Sequence, residues 1–151
     1  NIEGGFEYME QTKTDKSMKR REIVWTITSL AVLVTLLVEV TLTPLVQRGN
    51  GTRFLSTGMW YNLIWVGSMY VIPVSLYILG IKSMRYVLAG VVGFWIIPVP
   101  VIGIIGVGAW YWYLVREEIF YVSLLIMSIL SLCALAVNIG WFIACFGKRG
   151  K

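Results

Sequence analysis

Four long apolar stretches, separated by short polar segments, dominate the hydropathy pattern of this 151-residue chain. They cover residues 23–46, 58–81, 86–115 and 119–146, and the first contains a single ionisable side chain, that of Glu39. A helix of some two dozen residues is about 36 Å long, which is enough to cross a bilayer core of about 30 Å. The pattern therefore predicts an all-α integral membrane protein with four transmembrane helices.

The basic residues predict the direction of each span. In a four-span arrangement with both termini on one side, ten of the thirteen Lys and Arg residues fall on that side. Such an excess is typical of the cytoplasmic side. We therefore expect a cytoplasmic N-terminal tail (residues 1–22) and a cytoplasmic C-terminal tail (residues 147–151) around the transmembrane domain of residues 23–146. A re-entrant third region would instead place the C-terminal tail outside.

The third apolar region, residues 86–115, is too long for one upright helix, because 30 residues span about 45 Å. Pro98 and Pro100 interrupt it and predict a strongly tilted helix, a kinked helix, or two half-helices with an unwound centre. Pro73 lies inside the second span and predicts a kink there, or a neighbour that satisfies the freed carbonyl group of Met69.

Composition restricts the classes of function. Hydrophobic residues make up 58% of the chain and charged residues 14%, against about a quarter charged in soluble domains. The chain has no His, which excludes His-ligated haem, copper or zinc and any His proton relay within it. Cys133 and Cys145 lie on one predicted helix, about 18 Å apart, and cannot pair. The sequence predicts no metal site, no resident cofactor and no catalytic group, and its charges at helix ends argue against nucleic-acid binding.

Glu39 is the one acidic residue predicted inside a span, where an unpaired carboxylate is costly. Thr35 and Thr43 lie four residues to either side and form a polar stripe with it. The stripe is a candidate proton or cation site. Alternatively, Glu39 makes a structural hydrogen bond or ion pair, with Arg116 or Arg48 as the partner at similar depth.

The fourth span carries two stripes of small or polar residues. Ala136, Gly140 and Ala144 follow each other at intervals of four, a spacing that lets a neighbouring helix approach closely. Ser131 and Asn138 belong to a second stripe. Two packing faces on one helix predict contact with more than one neighbour, which favours assembly over catalysis.

The loop of residues 47–57 is predicted to lie outside and contains an N-glycosylation sequon that begins at Asn50. The chain also has seven Trp and eight Tyr residues. Such residues are typical anchors at membrane–water interfaces. Contact of these aromatic side chains with lipid or quinone is the alternative.

Residues 22–26, Glu-Ile-Val-Trp-Thr, resemble the start of a transmembrane helix in subunit II of haem–copper oxidases. In that family the acid lies at the cytoplasmic mouth of a proton channel, and the predicted direction of this span agrees. The resemblance covers five residues. Ser29 stands where the family usually has Pro, and no copper-binding cupredoxin domain follows. The resemblance implies a place in a respiratory complex.

These observations together predict a non-catalytic accessory subunit of a larger membrane complex, of a respiratory or other energy-transducing kind. Its partners would be other integral membrane subunits and lipids. One alternative is a small proton- or cation-coupled transporter or channel subunit that uses Glu39. Another is a tetraspan membrane-organising or envelope protein.

Overall fold

The computed structural model describes residues 2–48 and 52–147, with side chains from residue 16 onward except that of residue 48. Within these ranges the regular secondary structure is entirely helical. Four helical segments are long and apolar enough to cross a membrane: Lys16–Leu42, Thr57–Ile78, Met84–Arg116 and Val122–Phe146. The prediction of an all-helical chain with four long apolar helices, compatible with a multi-pass membrane protein, is confirmed.

Helix α1 runs without a break from Ile2 to Leu42. The backbone of the predicted N-terminal tail is therefore part of the first long helix. Its Lys, Arg, Glu, Gln and Met residues are all favourable in helices. The helix ends before Pro44, because Pro lacks an N–H group and disfavours a helical conformation in the residue before it. A short helix α2, Pro44–Arg48, follows.

Helix α3, Thr57–Ile78, ends in a turn that depends on a glycine. Gly80 has a φ of 109° and donates its N–H to the carbonyl group of Tyr77 at 3.1 Å. The N–H of Ile81 reaches back to the carbonyl group of Leu76 at 3.2 Å. This is the Schellman arrangement, in which the left-handed position is usually Gly because a Cβ atom there is strained. The turn directs the chain back along α3.

The third apolar region forms two helices, α4 (Met84–Ile96) and α5 (Pro98–Arg116). They are separated only by Ile97 and together make one candidate span of 33 residues. Pro98 is the first residue of α5, where its missing N–H costs nothing because that group has no partner within the helix. The region is therefore divided at Pro98. Division at the prolines was one of the expected geometries, whereas a single tilted helix would run without interruption.

Helix α6, Val122–Phe146, lies between α1 and α5, α3 packs beside α1, and α4 packs against α3 and α6. The core contains Trp141, which is 1% exposed, and Leu36, Val99 and Leu124, which are fully buried. The last span is thus the centre of the bundle. Its buried Asn138 bonds to α1, and its buried Ser128 and Ser131 bond to carbonyl groups of α5.

Candidate functional site

A carboxylate is buried where α1, α3 and α4 meet, at the basic end of the bundle, formed by residues 16–22, 78–86 and 141–147. The side chain of Glu22 is 9% exposed, and one of its oxygens lies 3.2 Å from an Arg85 guanidinium nitrogen. Tyr77 donates its hydroxyl group to the other oxygen at 2.5 Å. Arg85 also lies over the ring of Phe146, 4.7 Å from its centre. Both carboxylate oxygens are therefore partnered, which offsets the cost of burying the charge.

Two more basic side chains at this end bind helix carbonyl groups. Lys19 donates to the carbonyl oxygen of Ile78, the last residue of α3, at 3.0 Å. Arg21 donates to the carbonyl oxygen of Ala144, in the last turn of α6. The last carbonyl groups of a helix lack partners within it and form the negative end of its dipole. These cations therefore stabilise the ends of α3 and α6.

Deeper in the bundle, α1 is hydrogen-bonded to α3 and α6 through buried hydroxyl groups. Trp141 donates its indole N–H to the Thr26 hydroxyl at 2.7 Å. Ser29 donates to the side-chain oxygen of Asn138 at 2.6 Å and lies 3.2 Å from the Tyr70 hydroxyl oxygen. Since Ser29 has one hydroxyl proton, which goes to Asn138, Tyr70 is the donor in the second pair.

Glu22, Thr26 and Ser29 form one polar face of α1, at spacings of four and three residues. This polar face extends about 10 Å along the helix. Leu33 and Leu36 lie further along the same side of α1 and are 2% and 0% exposed. Thr26 donates to the backbone carbonyl of Glu22, at 2.7 Å. The polar face therefore links three helices through side chains, but the described contacts do not join its carboxylate to the deeper hydroxyl groups.

The contact between α1 and α3, here called the α1–α3 seam, contains cavities at three depths. The cavity at the basic end has about 340 Å³ and is lined in part by Glu22 and Arg85. A middle cavity of about 90 Å³ touches Tyr70, and one near the opposite end, of about 180 Å³, touches Thr41 and Asn62. Exposed residues such as Ile27, Val71 and Tyr86 line them, so the cavities are clefts open to the outside of the bundle and not enclosed voids.

Comparison with known proteins assigns the chain to a family. The family described as "Family of unknown function (DUF5391)" matches residues 13–150. The chain belongs to the DUF5391 family. The uncharacterized protein YxaJ of Bacillus subtilis (strain 168) is 33% identical over 133 residues, which cover 86% of this chain and 90% of that protein. No solved structure matches. The matched region includes the polar face of α1 and all four long helices.

The structure of this DUF5391 chain places the predicted intramembrane site on another face of α1. Glu39 is partly buried and makes no hydrogen bond or ion pair with any side chain that the structure describes, Arg116 included. Thr35 donates to the carbonyl group of Ala31 at 2.8 Å, and Thr43 to that of Val40 at 2.7 Å. Both hydroxyl groups therefore bond to carbonyl groups of their own chain segment.

The predicted packing residues of α6 lie mostly against other helices of the same chain. A Cβ atom on Gly140 would lie 2.8 Å from the ring of Trp25, so α1 and α6 touch directly there. Ser131 donates to the carbonyl oxygen of Val99 on α5 at 2.6 Å. Asn138 binds α1, and Ala144 accepts from Arg21, whereas Ala136 is exposed. Both stripes therefore serve contacts within the bundle.

The structure describes the three prolines named above but not the asparagine of the sequon. Pro73 is buried inside α3, and Pro98 and Pro100 lie in the first turn of α5. Asn50 lies outside the described residues, as does the side chain of Arg48.

Sequence reasoning did not find the cluster of Glu22, Tyr77 and Arg85. Glu22 entered only through a five-residue resemblance, and Arg85 only as one of the ten basic residues predicted on the cytoplasmic side. A signal was present, because Glu22 is an acid between a basic run and an apolar span. Its partners could not be read from the sequence, since they depend on how the turn at Gly80 returns the chain to α1.

Proposed function

We propose that this DUF5391 member is a non-catalytic accessory subunit of a larger membrane complex, with both termini in the cytoplasm. The orientation is supported by the ten basic residues on one side and three on the other. Its partners would be other integral membrane subunits. An energy-transducing complex remains the predicted kind.

The observation that carries this proposal is the outer face of α5, formed by Val101, Ile104, Gly108, Tyr111 and Val115. These residues recur at spacings of three and four, and the four with large side chains are 49–71% exposed. A Cβ atom on Gly108 would meet nothing within 4 Å. The outer face of α5 is a straight stripe about 21 Å long.

Such a stripe has the geometry that a second transmembrane helix needs. Spacings of three and four keep apolar side chains along one line, as at the contacts of left-handed helix pairs. A small residue at the centre of the line lets two backbones approach closely, which strengthens packing where hydrophobicity provides no driving force. Gly108 supplies that residue.

The buried polar side chains are consistent with a partner subunit that contacts the outside of the bundle. The side chains of Glu22, Ser29 and Asn138 find partners within the chain, and on α6 Gly140 is covered by α1 and Ser131 by α5. A partner subunit is therefore not needed to satisfy them. The outer face of α5 is one of the apolar faces that the bundle leaves exposed, and we assign the partner to it because Gly108 lies at its centre.

Purification of the full chain in mild detergent from its own membranes tests the proposal. We expect other integral membrane proteins to co-purify in fixed proportion. Gly108→Leu fills the open centre of the stripe and should reduce their recovery about tenfold or more, which corresponds to about 1.4 kcal/mol.

Gly67→Leu is the matched control, because Gly67 lies inside α3 and its Cβ atom would also meet nothing within 4 Å. This variant should retain the partners. A wild-type chain that purifies alone would contradict the subunit role. Equal losses in the two variants would contradict the assignment to α5.

A second candidate is proton- or cation-coupled transport, and the observation that favours it is the row of cavities in the α1–α3 seam. Glu22 lies in the cavity at the basic end. Glu39, which lacks a partner among the described side chains, lies on another face of α1 and lines none of the three cavities, so a pathway would have to leave the seam to reach it. Carboxylates inside a span mark ion or proton pathways by default.

Flux measurements in proteoliposomes separate this candidate from the first. Under the transport hypothesis, Glu39→Gln should abolish proton- or cation-coupled flux, because the amide cannot ionise. Ser17→Ala, at the exposed start of the span, serves as a control and should retain it. Absence of flux with the wild-type chain, or unchanged flux in Glu39→Gln, would remove the hypothesis.

A further inference from the structure

The cavity at the basic end carries an excess of positive charge. It has about 340 Å³, and its lining includes the cations Lys19, Lys82 and Arg85 and the anion Glu22. Three positive charges and one negative charge leave an excess of two. The volume lies within the range of ordinary small-molecule sites. A cavity of this charge and size suits an anionic group.

The cations have hydrogen-bond donors to spare. The ammonium group of Lys82 is exposed and makes no hydrogen bond or ion pair with the part of the chain that the structure describes. Lys19 uses one of its three donors on the carbonyl group of Ile78. Arg85 pairs with Glu22, yet its buried Nε has no partner. Because this nitrogen is buried, the two lysine ammonium groups are the donors that a molecule in the cavity reaches.

The start of α4 adds a further positive contribution. Arg85 and Tyr86, in the first turn of this 13-residue helix, line the cavity. The first turn contains no acidic residue that would neutralise the helix dipole. The first N–H groups of α4 already donate to carbonyl groups of the preceding turn, so the helix contributes through its dipole, whose N-terminal end favours anions.

The apolar residues beside the cavity indicate the kind of molecule that brings the phosphate. Ile78 and Leu79 are 52% and 79% exposed next to the turn at Gly80, and Tyr86 is 71% exposed. Tyrosines and basic residues together at the end of a span are typical of the headgroup level of a bilayer. Basic pockets between transmembrane helices at this level bind anionic lipid headgroups.

We propose that this cavity binds the phosphate group of an anionic membrane phospholipid. Lys19 and Lys82 hold the phosphate from two sides, and the charge of Arg85 in the cavity lining adds to the attraction. Glu22 keeps Arg85 in place through the ion pair. The acyl chains lie against Ile78 and Leu79. The site goes beyond the proposed accessory role and does not depend on any partner subunit.

Native mass spectrometry of the full chain in detergent tests the site, with phosphatidylglycerol as the anionic probe and phosphatidylcholine as the zwitterionic one. We expect one tightly retained phosphatidylglycerol and at least tenfold weaker retention of phosphatidylcholine. The double variant Lys19→Gln, Lys82→Gln should weaken phosphatidylglycerol retention tenfold or more. Lys82→Gln alone should weaken it severalfold, and it alters an exposed side chain without a described partner, so the fold is not at risk.

The control is the double variant Lys16→Gln, Arg20→Gln. It removes the same charge from the neighbouring exposed surface of α1, outside this cavity. Retention should stay within about twofold of the wild type. Equal losses in the two double variants would show general attraction to a basic surface and overturn the site, as would the absence of any retained lipid.

Competition with inorganic phosphate distinguishes a phospholipid from a free phosphate ion as the occupant of the cavity. Millimolar inorganic phosphate should not displace the lipid, because the free ion lacks the acyl chains that contact Ile78 and Leu79. If inorganic phosphate binds alone, displaces the lipid and is lost in the Lys19→Gln, Lys82→Gln variant, the occupant is a soluble phosphate and the lipid assignment is wrong.

Discussion

Glu22 on α1 and Arg85 on α4 form a 3.2 Å ion pair at the basic end of the bundle. The pair joins the first and third spans, and Tyr77 brings the second into the same cluster. Its contribution to stability is directly testable, because removing one partner leaves the other charge buried and incompletely paired.

Arg85→Gln should lower the free energy of unfolding by about 1–3 kcal/mol, the cost of a buried group that loses a partner. The lower part of the range is expected, since the Arg85 side chain is 35% exposed. Thermal unfolding of the full chain in detergent, followed by circular dichroism, measures the change. Adding Glu22→Gln should restore part of the loss, because the unpaired charge is then absent. Additive losses would show that the pair is not coupled.

Asn138→Ala should destabilise the bundle by about 0.5–1.7 kcal/mol, the range measured for hydrogen bonds between transmembrane helices. The side chain is 2% exposed and accepts from Ser29. Cys133→Ala, at an exposed position of the same helix, should change little and is the control. Ser29→Ala should cost a similar amount, and the double variant should cost less than the sum. A sum without coupling would mean that the bond contributes nothing.

Gly103→Ala should separate α5 from α6. A Cβ atom there would lie 2.6 Å from the Ser131 hydroxyl oxygen, so the helices must shift, at a cost of about 1–3 kcal/mol. The same change at Gly67, where space is open, should be neutral or stabilise by up to about 1 kcal/mol, because Ala favours helix. Unfolding temperatures of the two variants give the comparison. Equal temperatures would exclude a tight contact at Gly103.

The orientation predicts which loops a membrane-impermeant maleimide reaches in intact cells. In a background with Cys133→Ala and Cys145→Ala, the Arg53→Cys variant should be labelled from outside. The Lys82→Cys variant should be labelled only after the membrane is permeabilised. The opposite result would reverse the topology and place the phospholipid site in the outer leaflet.

The four long helices could be predicted because hydropathy is a local property of the chain. The interruption at Pro98 was among the expected geometries for the same reason, since a proline acts on its own backbone. Glu39 attracted attention because it stands alone in an apolar stretch. That argument uses only one span and says nothing about neighbouring spans.

The polar cluster could not be predicted because it depends on three helices at once. Glu22 meets Tyr77 and Arg85 only after the turn at Gly80 has fixed how α3 and α4 lie against α1. Ser131 and Asn138 were recognised as packing residues, but the sequence does not tell whether their partners lie in the same chain. The structure supplies those partners as Val99 and Ser29.

The continuity of α1 has a mechanical consequence. Between Ile2 and Leu42 the helix has no interruption that could act as a hinge. A partner that binds the first turns and tilts them would therefore move the whole helix as a rigid rod. The movement would be transmitted to Glu22, Thr26 and Ser29.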